Sequence, residues 1–228
     1  QLTTDQFAAL STLALSVLTN IQAKGITTDQ INTLHNDEIA ALSTSVIAGL
    51  TTEQLQAISS DDISSLTSQQ IKSLTTLEIS KLTTGQIAAL ATDDIAALTS
   101  LQIKNLSTDQ FDTHSTDQLF AISGSAIAGL SSAQIKHLSA LQLSSVPTDK
   151  IASISADDFA VMTSAQIKGL NIEGLITQLT TEQVNALSLS AIRGMSSTQI
   201  GQLTTTQFIS LSDDALASLT NPQVKGIT

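Results

Sequence analysis

The chain has no cysteine, tryptophan or tyrosine, only two prolines, and nine basic residues against twenty acidic ones. Without cysteine there is neither a disulfide framework nor thiol chemistry. Sparse basic residues and the missing large aromatics leave little to neutralise phosphates or stack on bases, so a nucleic-acid partner is not expected. No apolar run approaches the length of a membrane span. No GxSxG elbow, HExxH spacing, EF-hand loop or GGxGxD repeat is present, and no enzyme is expected.

What is present is one eight-residue unit, seen most plainly in Thr83 to Leu98, TTGQIAAL followed by ATDDIAAL. Units begin at residue 3 and recur to residue 227, twenty-eight in all, with one irregular nine-residue unit at 171–179. Residues 1–228 therefore read as a single continuous array, and the absence of distinct terminal caps suggests an excerpt of a longer one.

The unit spells a short helix. Position one is Ser or Thr in twenty-four units, the exceptions being His35, Ala91, Pro147 and Asn171; position four is Gln or Glu in eighteen and Asp in three. That spacing is a capping box, in which the hydroxyl and the amide or carboxylate satisfy two free N–H groups at a helix start. Position five is apolar throughout and position eight everywhere except His114. Three residues apart, they share one helix face. A continuous helix is excluded, because eight residues at about 100° each would rotate the apolar stripe by about 80° per unit. The expectation is an all-α solenoid of short capped helices, one per unit, of unassigned handedness, with Ile and Leu inward. Gln or Glu at position four favours alternate units, and Lys72, Lys104, Lys136 and Lys168 recur every thirty-two residues, so two or four units are expected per solenoid turn.

Eighteen acidic residues sit at positions three and four and seven basic ones at position six, which complements the helix dipole. The pairs Asp61/Asp62, Asp93/Asp94 and Asp157/Asp158, with Asp213/Asp214, are the candidate Ca²⁺ ligands, because hard cations want several oxygens; helix-end charge is the simpler account. No other cofactor is implied, and no catalytic residue is assigned. His35 lies at a cap, His137 at position seven and His114 at a core position, where its ring is expected to tip toward solvent or hydrogen-bond. A second hydroxyl at position two (Thr28, Thr84, Thr205 and others) opens an alternative: stacked rows of Ser and Thr forming a binding surface for ice, carbohydrate or another regular lattice. A protein-interaction scaffold is the third reading.

The runs ITTDQI (Ile26 to Ile31), LTTEQL (Leu50 to Leu55) and TSAQIKGL (Thr163 to Leu170) resemble the Leu/Thr-rich tandem arrays of very large secreted or surface-exposed bacterial proteins of adhesin-like type. The resemblance implies a structural spacer or stalk, extracellular or on the cell surface, whose neighbours are other repeats of the same parent chain. It transfers no functional residues.

Overall fold

A computed structural model describes residues 2–170 and 175–227, which form two compact units, residues 1–122 and 123–228. Among the described residues there are twenty-eight helices of four to six residues and no strand. The N-caps that are described coincide with position one of the octad: Thr83 precedes Thr84–Ala89, Ala91 precedes Thr92–Ala97, and Thr99 precedes Ser100–Asn105. The capping box closes as the spacing requires. Thr83 Oγ1 accepts from Gln86 N at 3.1 Å, and Gln86 Oε1 accepts from Thr83 N at 2.9 Å. His35 and Ala91 keep only the returning half, from Glu38 and Asp94 respectively. Pro147 stands as a cap without a side-chain bond, and Pro222 sits in the first turn of Asn221–Val224, where a missing N–H costs nothing.

Helices this short do not hold alone. Their stability comes from stacking, and within each unit the recurrent packing is of one helix on the third one after it. In the first unit Ser68–Ser73 packs on Thr92–Ala97, and that helix on Thr116–Ala121; in the second Ala140–Ser145 packs on Ser164–Gly169, and that on Leu189–Gly194. The core follows the octad. Ile71, Ile79, Ile87, Ile95 and Ile103 at position five are fully buried, and Leu at position eight nearly so. Phe111 and Phe159 replace Ile there, while Phe120 at position six is exposed.

The turn is neither two units nor four. Hydrogen bonds between successive turns join residues 28 and 31 apart, and further contacts fall at 25 and 26. A turn of about 28 residues is three and a half octads, so successive turns are offset by half a unit, as in brickwork. Position four of one turn lies over position eight of the turn before it. The thirty-two-residue recurrence of Lys is thus a pattern of composition and not the geometric repeat. The irregular unit, 171–179, includes 171–174, outside the described residues. Its extra residue is visible in the register around it: Gln183 reaches back 31 and 29 residues and Gln199 reaches back 32, whereas Gln207 and Gln223 return to 31 and 28.

Candidate functional site: the glutamine seam between turns

The most organised polar chemistry in the chain lies between its turns. The closing carbonyl of each octad is spare, because the following N–H groups are already capped. In the half-unit offset, the position-four glutamine of the next turn lands on it. Gln102 is representative: Oε1 accepts from Thr99 N at 2.9 Å, while Nε2 donates to Ile71 O at 3.0 Å and Leu74 O at 2.8 Å. Its side chain is only 2% exposed. Gln54, Gln70, Gln86, Gln110, Gln118, Gln166, Gln207 and Gln223 make the same two-sided bridge. One amide thus caps its own helix and ties that helix to the turn beneath, leaving buried polar groups satisfied.

Capping explains Gln and Glu equally well; bridging requires the donor that only the amide has. The signal was in the sequence, since sixteen of the eighteen residues read as Gln or Glu at position four are Gln. Glu78 is an exception. It accepts from Thr75 N at 2.6 Å and is buried, but its register places it over the carbonyls of Ile47 and Leu50, to which a carboxylate cannot donate. Glu78→Gln is expected to raise stability by about 1 kcal/mol, the net worth of an added hydrogen bond, read as a higher urea midpoint with an unchanged slope.

The aspartates occupy the same seam. Asp94 Oδ1 accepts from Ser68 Oγ at 3.0 Å and Asp158 Oδ1 from Ser132 Oγ at 2.6 Å, each from a residue 26 positions away. Burial raises the Asp94 carboxyl above the usual carboxylate range, partly offset by the Ser68 bond. Asp62 accepts from Ser59 Oγ and lies 4.0 Å from His35 Nδ1. Among the described residues no three His, Asp or Glu side chains converge as a metal site would require. The first-turn carboxyls Glu53 and Glu182 are held below their ordinary range by backbone N–H groups at the helix start, then by the cap hydroxyls of Thr51 and Thr180.

His114 does not tip toward solvent. It is 3% exposed, Nδ1 lies 2.9 Å from Phe111 O, its ring sits 5.2 Å from that of Phe111, and Nε2 has no partner. Burial pushes the imidazole below its ordinary pKa, outweighing the bonds to Phe111 and Gln110 that favour the charged form. Because the folded pKa is depressed, the unfolded chain takes up the proton first. Stability is complete above the unfolded value near 6.5 and declines as pH falls through it toward the folded pKa. His114→Leu is expected to flatten that slope and to add about 1–2 kcal/mol by removing an unsatisfied buried nitrogen; urea titrations between pH 7.5 and 5 check it.

Positions two and seven meet between turns. A Cβ on Gly49 would lie 2.7 Å from Asn20 Cβ, and one on Gly169 2.6 Å from Ala140 Cβ; on Gly194 and Gly226 it would collide with Ser164 and Ser197. These glycines serve close approach. None has a positive φ, so it is closeness and not backbone conformation that calls for glycine here. Position two is therefore partly consumed by packing, although Thr28, Thr84 and Thr205 remain exposed.

Taken together, these features define a tandem-repeat helical solenoid whose turns interlock through glutamine. Three overlapping stretches, residues 34–68, 56–92 and 87–123, match the family model described as ALTTAQ repeat, covering 90 of the 228 residues. In structural terms the string Leu82-Thr83-Thr84-Gly85-Gln86 is closing position, cap, second hydroxyl and bridge. No curated protein matches the sequence.

Proposed function

We propose that the array is a structural spacer, a stalk segment of a large bacterial extracellular or cell-surface protein of adhesin-related type, and that it carries out no reaction. The observation that supports this reading most is the internal use of the repeat's distinctive chemistry. Positions one, four, five and eight are consumed by caps, core and the seam, and position seven lies against position two. Such a unit is shaped to stack on itself, and added units lengthen the array without demanding a new core. The resemblance to Leu/Thr-rich surface arrays and the ALTTAQ match over residues 34–123 point the same way. No helix among the described residues is long and apolar enough to cross a membrane, so anchorage in this reading falls to other parts of the parent.

The test places the chain between a cell-surface anchor and an epitope tag. A spacer is expected to raise antibody access to the tag, equally well when exposed Thr28, Thr84 and Thr205 are replaced by Lys. Retention of the displaying cells on ice or polysaccharide by the chain itself, lost with those three substitutions, would overturn the reading in favour of a binding surface.

A further inference from the structure

The turn of about 28 residues separates two sets of charges in the first unit. Residues 44–49, 72–77 and 100–105 stack through successive turns: Ser73 Oγ donates to Thr44 O and Gln102 Nε2 to Leu74 O. They carry Lys72 and Lys104 and no acidic residue. Residues 33–37, 61–65 and 89–93 stack in the same register, with His35 4.0 Å from Asp62. They carry Asp37, Asp61, Asp62 and Asp93 and neither lysine nor arginine. Eleven residues separate Asp61 from Lys72 and Asp93 from Lys104, about 140° of a 28-residue turn. Lysines and aspartates therefore lie on different sides of the array. Lys72, Lys104, Asp61 and Asp93 are all exposed, and among the described residues no salt bridge engages them.

The lysine side is also apolar. Leu77 and Leu101 are 59% and 65% exposed, on helices Thr76–Lys81 and Ser100–Asn105, which pack on one another. The turn sets Leu101 over Lys72, 29 residues on, and Lys104 over Leu77, 27 residues on. Two lysines and two leucines thus alternate over two adjacent turns. On the aspartate side the exposed residues between Asp61 and Asp93 include the small Ser64 and Ala91. Repeats precede and follow both patches, so their exposure does not depend on where the chain begins or ends.

We propose that the lysine and leucine side of the first unit docks on the aspartate side of a second copy, so that arrays associate side by side. The occupant is a second copy because the chain carries both halves of the match. Lys72 and Lys104 are 32 residues apart, as are Asp61 and Asp93, so the repeat gives the two pairs the same spacing. Ser64 and Ala91 leave room for Leu77 and Leu101. The contact is heterologous, with different patches on the two partners. Patches of a few residues are smaller than those of stable dimers, so each contact is weak.

Sedimentation equilibrium of the full chain tests this at up to about 1 mM, the range in which small interfaces associate. About 0.15 M salt screens repulsion between the acidic chains beyond about 8 Å and leaves contacting pairs intact. The weight-average mass is expected to rise from the 23.7 kDa of one chain toward that of two. Zero-length carbodiimide coupling of isotope-labelled with unlabelled chain is expected to join Lys72 or Lys104 of one copy to Asp61 or Asp93 of another. Lys72→Glu/Lys104→Glu and Asp61→Lys/Asp93→Lys are each expected to stay at one chain's mass. Mixed, the lysines of the second variant meet the aspartates of the first, and the complex is expected to return. Circular dichroism matching the parent chain confirms that both variants fold. A mass of one chain throughout, association that both variants retain, or a mixture that does not associate overturns the proposal. So does a monomer that anionic phospholipid vesicles capture through the same lysines, which would assign this side to lipid headgroups.

Discussion

Gln102→Ala is expected to be among the most damaging single substitutions in the chain, lowering stability by about 3–5 kcal/mol. Three effects combine. Thr99 N loses its acceptor, the carbonyls of Ile71 and Leu74 lose their shared donor, and a cavity opens where a side chain 2% exposed had been. Gln102→Glu separates capping from bridging. The carboxylate still accepts from Thr99 N, but it faces two carbonyls with nothing to donate. A cost of about 2–4 kcal/mol is expected at pH 7, because a charged acceptor is buried against acceptors. The glutamate's folded pKa is thereby raised above its unfolded value. Relative to the parent chain, the variant should recover as pH falls and a protonated carboxyl regains one donor. Urea titrations at pH 7 and 4.5 check both the loss and its partial reversal. Gln6→Ala, at an exposed position where the side chain only accepts from Thr3 N, is expected to cost its capping contribution alone, about 0.5–1 kcal/mol.

The second large effect is steric. Gly194→Val is expected to destabilise by about 3 kcal/mol or more, since its Cβ would meet Ser164 Cα at 2.7 Å and Ser164 O at 2.8 Å, and backbone cannot move aside as a side chain can. Gly194→Ala should already lose about 2 kcal/mol. The contrast lies at Gly85, where a new methyl would meet Ser60 Oγ at 3.2 Å and Thr83 Oγ1 at 3.9 Å, both the ends of side chains and the nearer one rotatable. There Ala is expected to be neutral, or to stabilise by up to about 1 kcal/mol through helix propensity. Thermal melts of the three variants against the parent distinguish glycine needed for closeness from glycine merely tolerated.

Much of this architecture is legible in the octad. Thr or Ser followed three residues later by Gln fixes where each helix begins, as Thr83 and Gln86 show, and Ile87 with Leu90 fixes which side is buried. Those are local relations, spanning three residues, and local chemistry determines them. The size of the turn is not local. It depends on the bend at each corner, which the eight-residue repeat leaves open because every corner is chemically alike, and the recurrence of Lys72 to Lys168 every thirty-two residues suggested a count the backbone does not adopt. The second role of Gln102 was hidden for the same reason: its capping partner is three residues away, while the carbonyls it also serves are 28 and 31 residues away. His114 shows a further limit. A lone polar residue at a core position leaves two readings open, tipped toward solvent or hydrogen-bonded, and only the packing against Phe111 with the bond to its carbonyl decides for the second.

The half-unit offset between turns is the claim on which both the seam and the close-approach glycines depend. Disulfide formation measures it directly, because the chain contains no cysteine to confuse the result. A Cβ on Gly85 lies 3.2 Å from Ser60 Oγ, close to the spacing a disulfide needs between one Cβ and the opposite sulfur. Ser60→Cys with Gly85→Cys, 25 residues apart, should oxidise rapidly and completely within one molecule. Ser60→Cys with Thr92→Cys, equivalent positions four units apart, should remain reduced under the same conditions. Efficient closure of the 60–92 pair and none of the 60–85 pair would mean a turn of four whole units, and would contradict the account.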